Sequence, residues 1–218
     1  MNNVNATINS GVIHDKDYIS MSSDNAISYD LGNINPGDTR FFNLFICLKN
    51  EKNTRNNMMN FVQTLKKVDI DISAFVYHND TLKSLDDVVW YKHTDTQTLH
   101  HSGDNRDGEG EGDDEKISIK LDGLNPDVNR IRLVATIYDF KDRGQNFGSA
   151  KNAFLTLHND DENGKEEMRI NLTGDYSMFV GIAVGDLVKK ENSWQFVSIA
   201  EGYADDLNVI VNKNINAK

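Results

Sequence analysis

Twelve consecutive residues, Asp104 to Glu115, read Asp-Asn-Arg-Asp-Gly-Glu-Gly-Glu-Gly-Asp-Asp-Glu and carry seven carboxylates against one arginine, a local charge of −6. Anions crowded this closely repel one another unless a counter-charge sits among them, so cation binding is the chemistry this run points to. Calcium takes six to eight hard oxygen ligands in flexible geometry, which suits many carboxylates on a loop whose glycines let backbone carbonyls turn inward. Magnesium prefers an octahedron with retained water, and zinc prefers nitrogen or sulfur. Upstream, Val68-Asp69-Ile70-Asp71-Ile72 alternates so that Asp69 and Asp71 share one strand face and the apolar residues the other.

Other readings of these residues compete. Asp107, Glu109, Glu111 and Gly112 occupy the first, third, fifth and sixth positions of an EF-hand loop, but the twelfth is Ser118, where a bidentate Glu is needed. The plainer reading of any charge run is a solvated surface loop. Alternating glycines and the Asp69/Asp71 pair favour metal, because a solubilising loop requires neither. His100 and His101 invite a zinc reading with His93 or Cys47, yet a surface histidine pair beside carboxylates is the simpler expectation. Cys47, the single cysteine, lies in an apolar strand and is expected in the core.

The sequence holds no G-x-S-x-G elbow, no Walker A loop and no H-E-x-x-H helix. A paired-carboxylate hydrolase would need an apolar pocket to raise one pKa, which so crowded a loop lacks. The expectation is therefore a protein that is not an enzyme. A metal-dependent hydrolase using the same acidic loop, and a structural sandwich with a solubilising loop, are the alternatives.

The elements that must position these residues are strands. Ala26–Leu31, Arg40–Leu48, Val68–Tyr77, Val88–Tyr91, Lys116–Leu121, Arg130–Tyr138, Ala153–Leu157, Met168–Leu172, Met178–Val188 and Trp194–Ile199 combine alternation with β-branched and aromatic residues. They predict an all-β, two-sheet antiparallel β-sandwich in which Ile117, Ile119 and Leu121 share a buried face. Asn35-Pro36 and Asn125-Pro126 place both prolines in turns, and Asn163-Gly164 reads as a hairpin. One or two short helices are expected, from Met58, Phe61, Val62 and Leu65 within 53–67 and from Leu207, Ile210 and Val211. Phe147, Trp194, Phe196 and Tyr203 are read as core rather than as a binding patch.

The 218 residues are read as one domain, with no internal repeat. A net charge of −11 with no Lys/Arg cluster excludes nucleic acid and anionic membrane surfaces as partners. No apolar run approaches the ~20 residues that span a bilayer, and the first residues carry no leader pattern, so the expected location is cytoplasmic.

The run His101–Glu115 resembles the signature loop of the TerD family of tellurium-resistance and stress proteins. Val68-Asp69-Ile70-Asp71-Ile72-Ser73-Ala74-Phe75 before it is similar to that family in the same order. So are Arg143-Gly144-Gln145-Asn146-Phe147-Gly148, Lys151-Asn152-Ala153-Phe154, Trp194-Gln195-Phe196 and Glu201-Gly202-Tyr203 after it. The resemblance covers about residues 68–207; Lys49–Lys67 departs from it as an inserted Asn-rich segment. It implies a calcium-binding β-sandwich with two adjacent ions, acting in stress resistance with protein partners. Carried over by position, the strand ligands would be Asp69 and Asp71. The loop candidates would be Asp104, Asn105, Glu109, Glu111, Asp113, Asp114 and Glu115, with Gly108 and Gly110 allowing tight turns and Asp107 peripheral.

Overall fold

The computed structural model of the chain describes residues 28–33, 43–50, 68–104, 114–150, 153–159, 165–174, 176–191 and 193–217. The alternating segments form strands because each buries every second side chain against a common interior. In chain order these are β1 (Ser28–Asn33), β2 (Asn43–Asn50), β3 (Ile70–His78), β4 (Val88–Val89), β5 (Leu99–His101), β6 (Glu115–Lys120), β7 (Val128–Ile137), β8 (Ala153–Asn159), β9 (Lys165–Asn171), β10 (Gly181–Lys190) and β11 (Ser193–Tyr203). One sheet runs β1-β11-β10-β7-β3-β4 and the other β5-β6-β2-β8-β9. Every pairing is antiparallel, so the expected two-sheet sandwich is the observed fold.

Strand β5 is absent from the sequence reading, and β10 starts later than expected. Tyr176 to Phe179 form a turn instead, closed by Phe179 N–H donating to the Tyr176 carbonyl at 2.9 Å, with Met178 exposed. The predicted helix within 53–67, the Asn35-Pro36 turn, the Asn163-Gly164 hairpin and the side chain of Cys47 lie outside the described residues.

The core lies between the sheets. Ile70, Ile72, Ala74 and Val76 of β3 meet Ile117 and Ile119 of β6 there, with Phe147, Trp194 and Phe196 buried in the same cluster. Tyr203 is only half-buried. Strand β10 bulges between Ala183 and Gly185, and a Cβ at Gly185 would stand 2.3 Å from the Phe196 ring. Only glycine lets that ring approach the backbone so closely.

On the opposite face of β3, Phe75 and Tyr77 pack with Ile210 and Val211 of a C-terminal helix, α2 (Leu207–Ile215). The Asp206 side chain starts that helix by accepting from Val209 N–H at 3.1 Å. A polar network holds it down. Arg132 grips Asp186 in a fork (2.9 and 3.1 Å) and donates to Asn214 Oδ1 at 3.1 Å, while the Tyr77 hydroxyl donates to the same oxygen at 2.5 Å. Asp69 and Asp71 share the face of Phe75 and Tyr77, at the opposite end of the strand from that network.

The edge of β3 decides how the acidic loop is anchored. Strand β4 pairs only with Ala74 and Phe75, after which the chain turns away at Trp90. Ile72 therefore directs its N–H and C=O toward an edge that no strand among the described residues covers. Two side chains from the other sheet take the strand's place. Glu115 Oε2 accepts from Ile72 N–H at 2.8 Å, and His101 Nε2 lies 3.1 Å from the Ile72 carbonyl. Gly103 N–H donates to His101 Nδ1 at 3.0 Å, which leaves the ring proton on Nε2, where it is donated to that carbonyl.

Candidate metal centre

His101 and Glu115 bracket the acidic loop, so both ends of the loop are pinned to Ile72, next to Asp71. Gly103, with φ of +96°, turns the chain out of β5 in a conformation other residues rarely adopt. Asp104 follows directly. One oxygen from each of Asp69, Asp71 and Asp104 lies within 4.8 Å of the others; Asp69 and Asp71 are buried and Asp104 is exposed. Of the sequence candidates, Asp69, Asp71 and Asp104 are thus brought together. Glu115 is buried but engaged at the sheet edge, and Asp114 is half-buried and outside the three-carboxylate group. Asn105, Glu109, Glu111 and Asp113 lie outside the described residues, as do Asp107, Gly108 and Gly110.

His101 corrects the sequence reading, because it is buried rather than half of a surface pair, and only His100 is exposed. Its two nitrogens are committed to Gly103 and Ile72, which also removes it from any zinc ligand set. Arg143 is a contributor the sequence reading quoted without giving it a role. It is the last residue of the short helix α1 (Phe140–Arg143) that follows β7, and its Nη1 stands 3.5 Å from Asp69 Oδ2 while Nε stands 3.8 Å from Asp139 Oδ2. One guanidinium so placed offsets part of the cluster's charge.

The electrostatics follow from burial and from like charges. Burial pushes the Asp71 carboxyl up to about 8, with Glu115, Asp69 and Asp104 adding to the rise and Arg143 opposing it. The apolar pocket that the acidic loop is expected to lack is supplied instead around the strand-borne Asp71, which is buried. Burial also raises Glu115, against the bonds it receives from His101 and Ile72. Tyr91 is pushed up to about 12 by burial and then by Asp71 and its neighbours, so its hydroxyl feels the same charge.

These shifts give a pH prediction for the metal-free chain. A carboxyl whose folded pKa lies above its unfolded value contributes stability that is fully present below about pH 4. That stability is lost as the pH rises through the folded value, here near 8 for Asp71. Chelator-treated protein should therefore melt lower at pH 8 than at pH 5, by on the order of 5 °C or more. Calcium in excess should abolish the difference, and a melting temperature independent of pH without metal would contradict the assigned cluster.

The donor set fits calcium. Oxygens 2.3–2.6 Å from one ion lie no more than about 5 Å apart, a limit the 4.8 Å grouping meets. All three donors are hard carboxylates, and two are buried where an unneutralised charge is costly.

An antiparallel sandwich with a carboxylate cluster between the start of β3 and the head of a glycine-spaced acidic loop is the class the fold and site define. Comparison with known proteins gives the family. A model described as the TerD domain matches residues 30–213, and the chain belongs to the TerD family. The match begins well before residue 68, where the resemblance read from motifs started. Similar proteins include the tellurium resistance protein TerD of Serratia marcescens, 39% identical over 68% of this chain and 79% of that one. General stress protein 16U of Bacillus subtilis (strain 168) is 34% identical over 64% of this chain and 74% of its own length. Among solved structures, a homologue of telluride resistance protein (TerD) from Streptomyces coelicolor A3(2) superimposes with a TM-score of 0.59 at 19% identity, covering 78% of this chain and 95% of that one. That likeness shows the fold. Among the described residues no helix is long and apolar enough to cross a membrane.

Proposed function

We infer that this chain binds calcium at Asp69, Asp71 and Asp104 and acts as a metal-dependent interaction module in tellurium resistance or a related stress response. The carrying observation is the convergence of two buried carboxylates and a third within 4.8 Å. When bound, calcium supplies the missing positive charge and draws the acidic loop toward β3. A second ion, with Asn105, Glu109, Glu111, Asp113 and Asp114 as its candidate donors, belongs to the same proposal. With its charge balanced by the ion, the loop would offer a surface to protein partners of the stress system.

A binding role is favoured over a hydrolytic one by what surrounds the cluster. Among the described residues the histidine at the loop base is His101, whose Nδ1 accepts from Gly103 and whose Nε2 faces the Ile72 carbonyl and Glu115, and Arg143 faces Asp69 and Asp139. Neither is placed as a general base.

Calorimetric titration of chelator-treated protein with calcium, magnesium and zinc tests the reading. Saturable heat with calcium in preference to the other two is expected, with about 2.7 kcal/mol of stabilisation at ~100-fold excess over Kd. Absence of calcium heat together with an unchanged melting temperature would reduce the acidic loop to surface charge.

A further inference from the structure

Asp71 has a second neighbourhood. It forms part of the wall of an open cleft of about 260 Å³ whose other walls come from the turn after β4, from the segment joining β7 to α1 and from the start of α2. The first of these contributes Trp90, Tyr91 and Lys92, the second Tyr138, Phe140 and Lys141. The rings at this cleft are not buried in the core: Tyr138 is 44% exposed, and Trp90 and Tyr91 are half-buried. The rings support one another edge to face, Trp90 on Tyr91 at 4.9 Å and Tyr91 on Tyr138 at 6.3 Å between centroids.

The charges say what kind of ligand fits. Lys92 Nζ lies 5.4 Å from the Trp90 centroid and 5.3 Å from that of Tyr91, Lys141 Nζ lies 5.4 Å from Phe140, and the Arg143 guanidinium lies 5.3 Å from Tyr138. The chain's own cations already take these rings, so a cationic ligand would have to displace them. Lys141 stands 3.8 Å from Asp206, and Arg143 faces Asp69 and Asp139. Among the described residues Lys92 has no carboxylate within ion-pair distance, and it is exposed at the cleft. A flat apolar body can sit against the rings while an anionic group meets Lys92. At liquid density the volume holds roughly ten non-hydrogen atoms.

We propose that this cleft binds a small planar organic oxyanion, a carboxylate or phosphate on a flat apolar body, held jointly by Lys92 and by the calcium at Asp71. The proposal rests on the calcium reading. Without the ion, Asp139 and Asp206 oppose an anion there; with it, a coordination position that the three carboxylates leave unfilled would accept an oxyanion oxygen beside Asp71. Oxyanion and calcium therefore bind with positive coupling, and each tightens the other by the same factor.

The test uses the full chain labelled with fluorotryptophan, whose fluorine spectrum separates Trp90 at the cleft from the buried Trp194. Phenyl phosphate is titrated with saturating calcium and again with chelator, inorganic phosphate serves as the ring-less control, and calcium heat is measured on the same sample. The expected result is a saturable shift of the Trp90 resonance with calcium, weakened about tenfold or more by chelator and to a similar extent by Lys92→Gln. Calcium heat should stay unchanged in that variant. If calcium binds but Trp90 does not respond, or inorganic phosphate binds as well as phenyl phosphate, the cleft assignment is overturned and the metal reading stands. Equal binding of phenyl phosphate with and without calcium overturns the joint site. No calcium heat at all overturns both.

Discussion

Replacing Glu115 by Ala lowers the folding stability of the chain by about 3 kcal/mol, because it strips a buried acceptor from a buried donor. Ile72 N–H gives its hydrogen bond to Glu115 Oε2 at 2.8 Å, and both side-chain oxygens and the neighbouring His101 are shielded from water. An orphaned buried amide costs about 1–3 kcal/mol, and the space left by the side chain adds to that. For a chain of this size the melting temperature should fall roughly 6–12 °C, and the Ile72 amide should exchange with deuterium faster. Glu115→Gln keeps an acceptor oxygen of the same shape and should lose much less. A loss below about 1 kcal/mol in the Ala variant, combined with loss of calcium binding, would make Glu115 an ion ligand and not the group that completes the sheet edge.

Asp71→Asn works in the opposite direction on the metal-free protein. The wild-type carboxyl is buried beside Asp69, within reach of Asp104 and Glu115, and all of these raise it to about 8. The neutral isostere removes that repulsion, so the chelated variant at pH 8 should be more stable than wild type by on the order of 1–3 kcal/mol. The same change deletes a charged ligand, so calcium should no longer protect. A variant that is less stable without metal, or that still gains the wild-type increment with calcium, would show that Asp71 is not where the charge problem resides. Denaturant melts at matched calcium activity separate these outcomes, since the two effects carry opposite signs.

Much of this architecture is readable from alternation alone. Asp69 and Asp71 are two positions apart in a strand pattern, so their common face follows from the pleat. The apolar period of β6 runs through Ile117 and Ile119, and extended back by one step it places Glu115 on the buried face, where it is found. The same logic applies to His101, which shares the buried face of Leu99, but β5 is only three residues long and shows no period by itself. So brief a strand gives alternation nothing from which to place His101 inside. What alternation cannot convey is which elements meet. Asp104 reaches the aspartate pair because Gly103 turns the chain at the end of β5 and because the two sheets stack with β5 and β6 beside the bare edge of β3. Arg143, Tyr91 and Tyr138 converge from the ends of β7 and β4, and no local pattern in the sequence announces that convergence.

The uncovered edge of β3 carries one further consequence. Exposed backbone donors and acceptors at a sheet margin are a template on which a strand from another molecule can assemble. Here the two groups that would invite such growth are occupied by an imidazole and a carboxylate rather than by more backbone. Both of those side chains are anchored in the opposite sheet, and each opens or closes the acidic loop. The two residues that bracket the acidic loop thus also cap the free donor and acceptor of Ile72, so replacing either should open that margin to edge-to-edge pairing, which sedimentation of the variants would reveal.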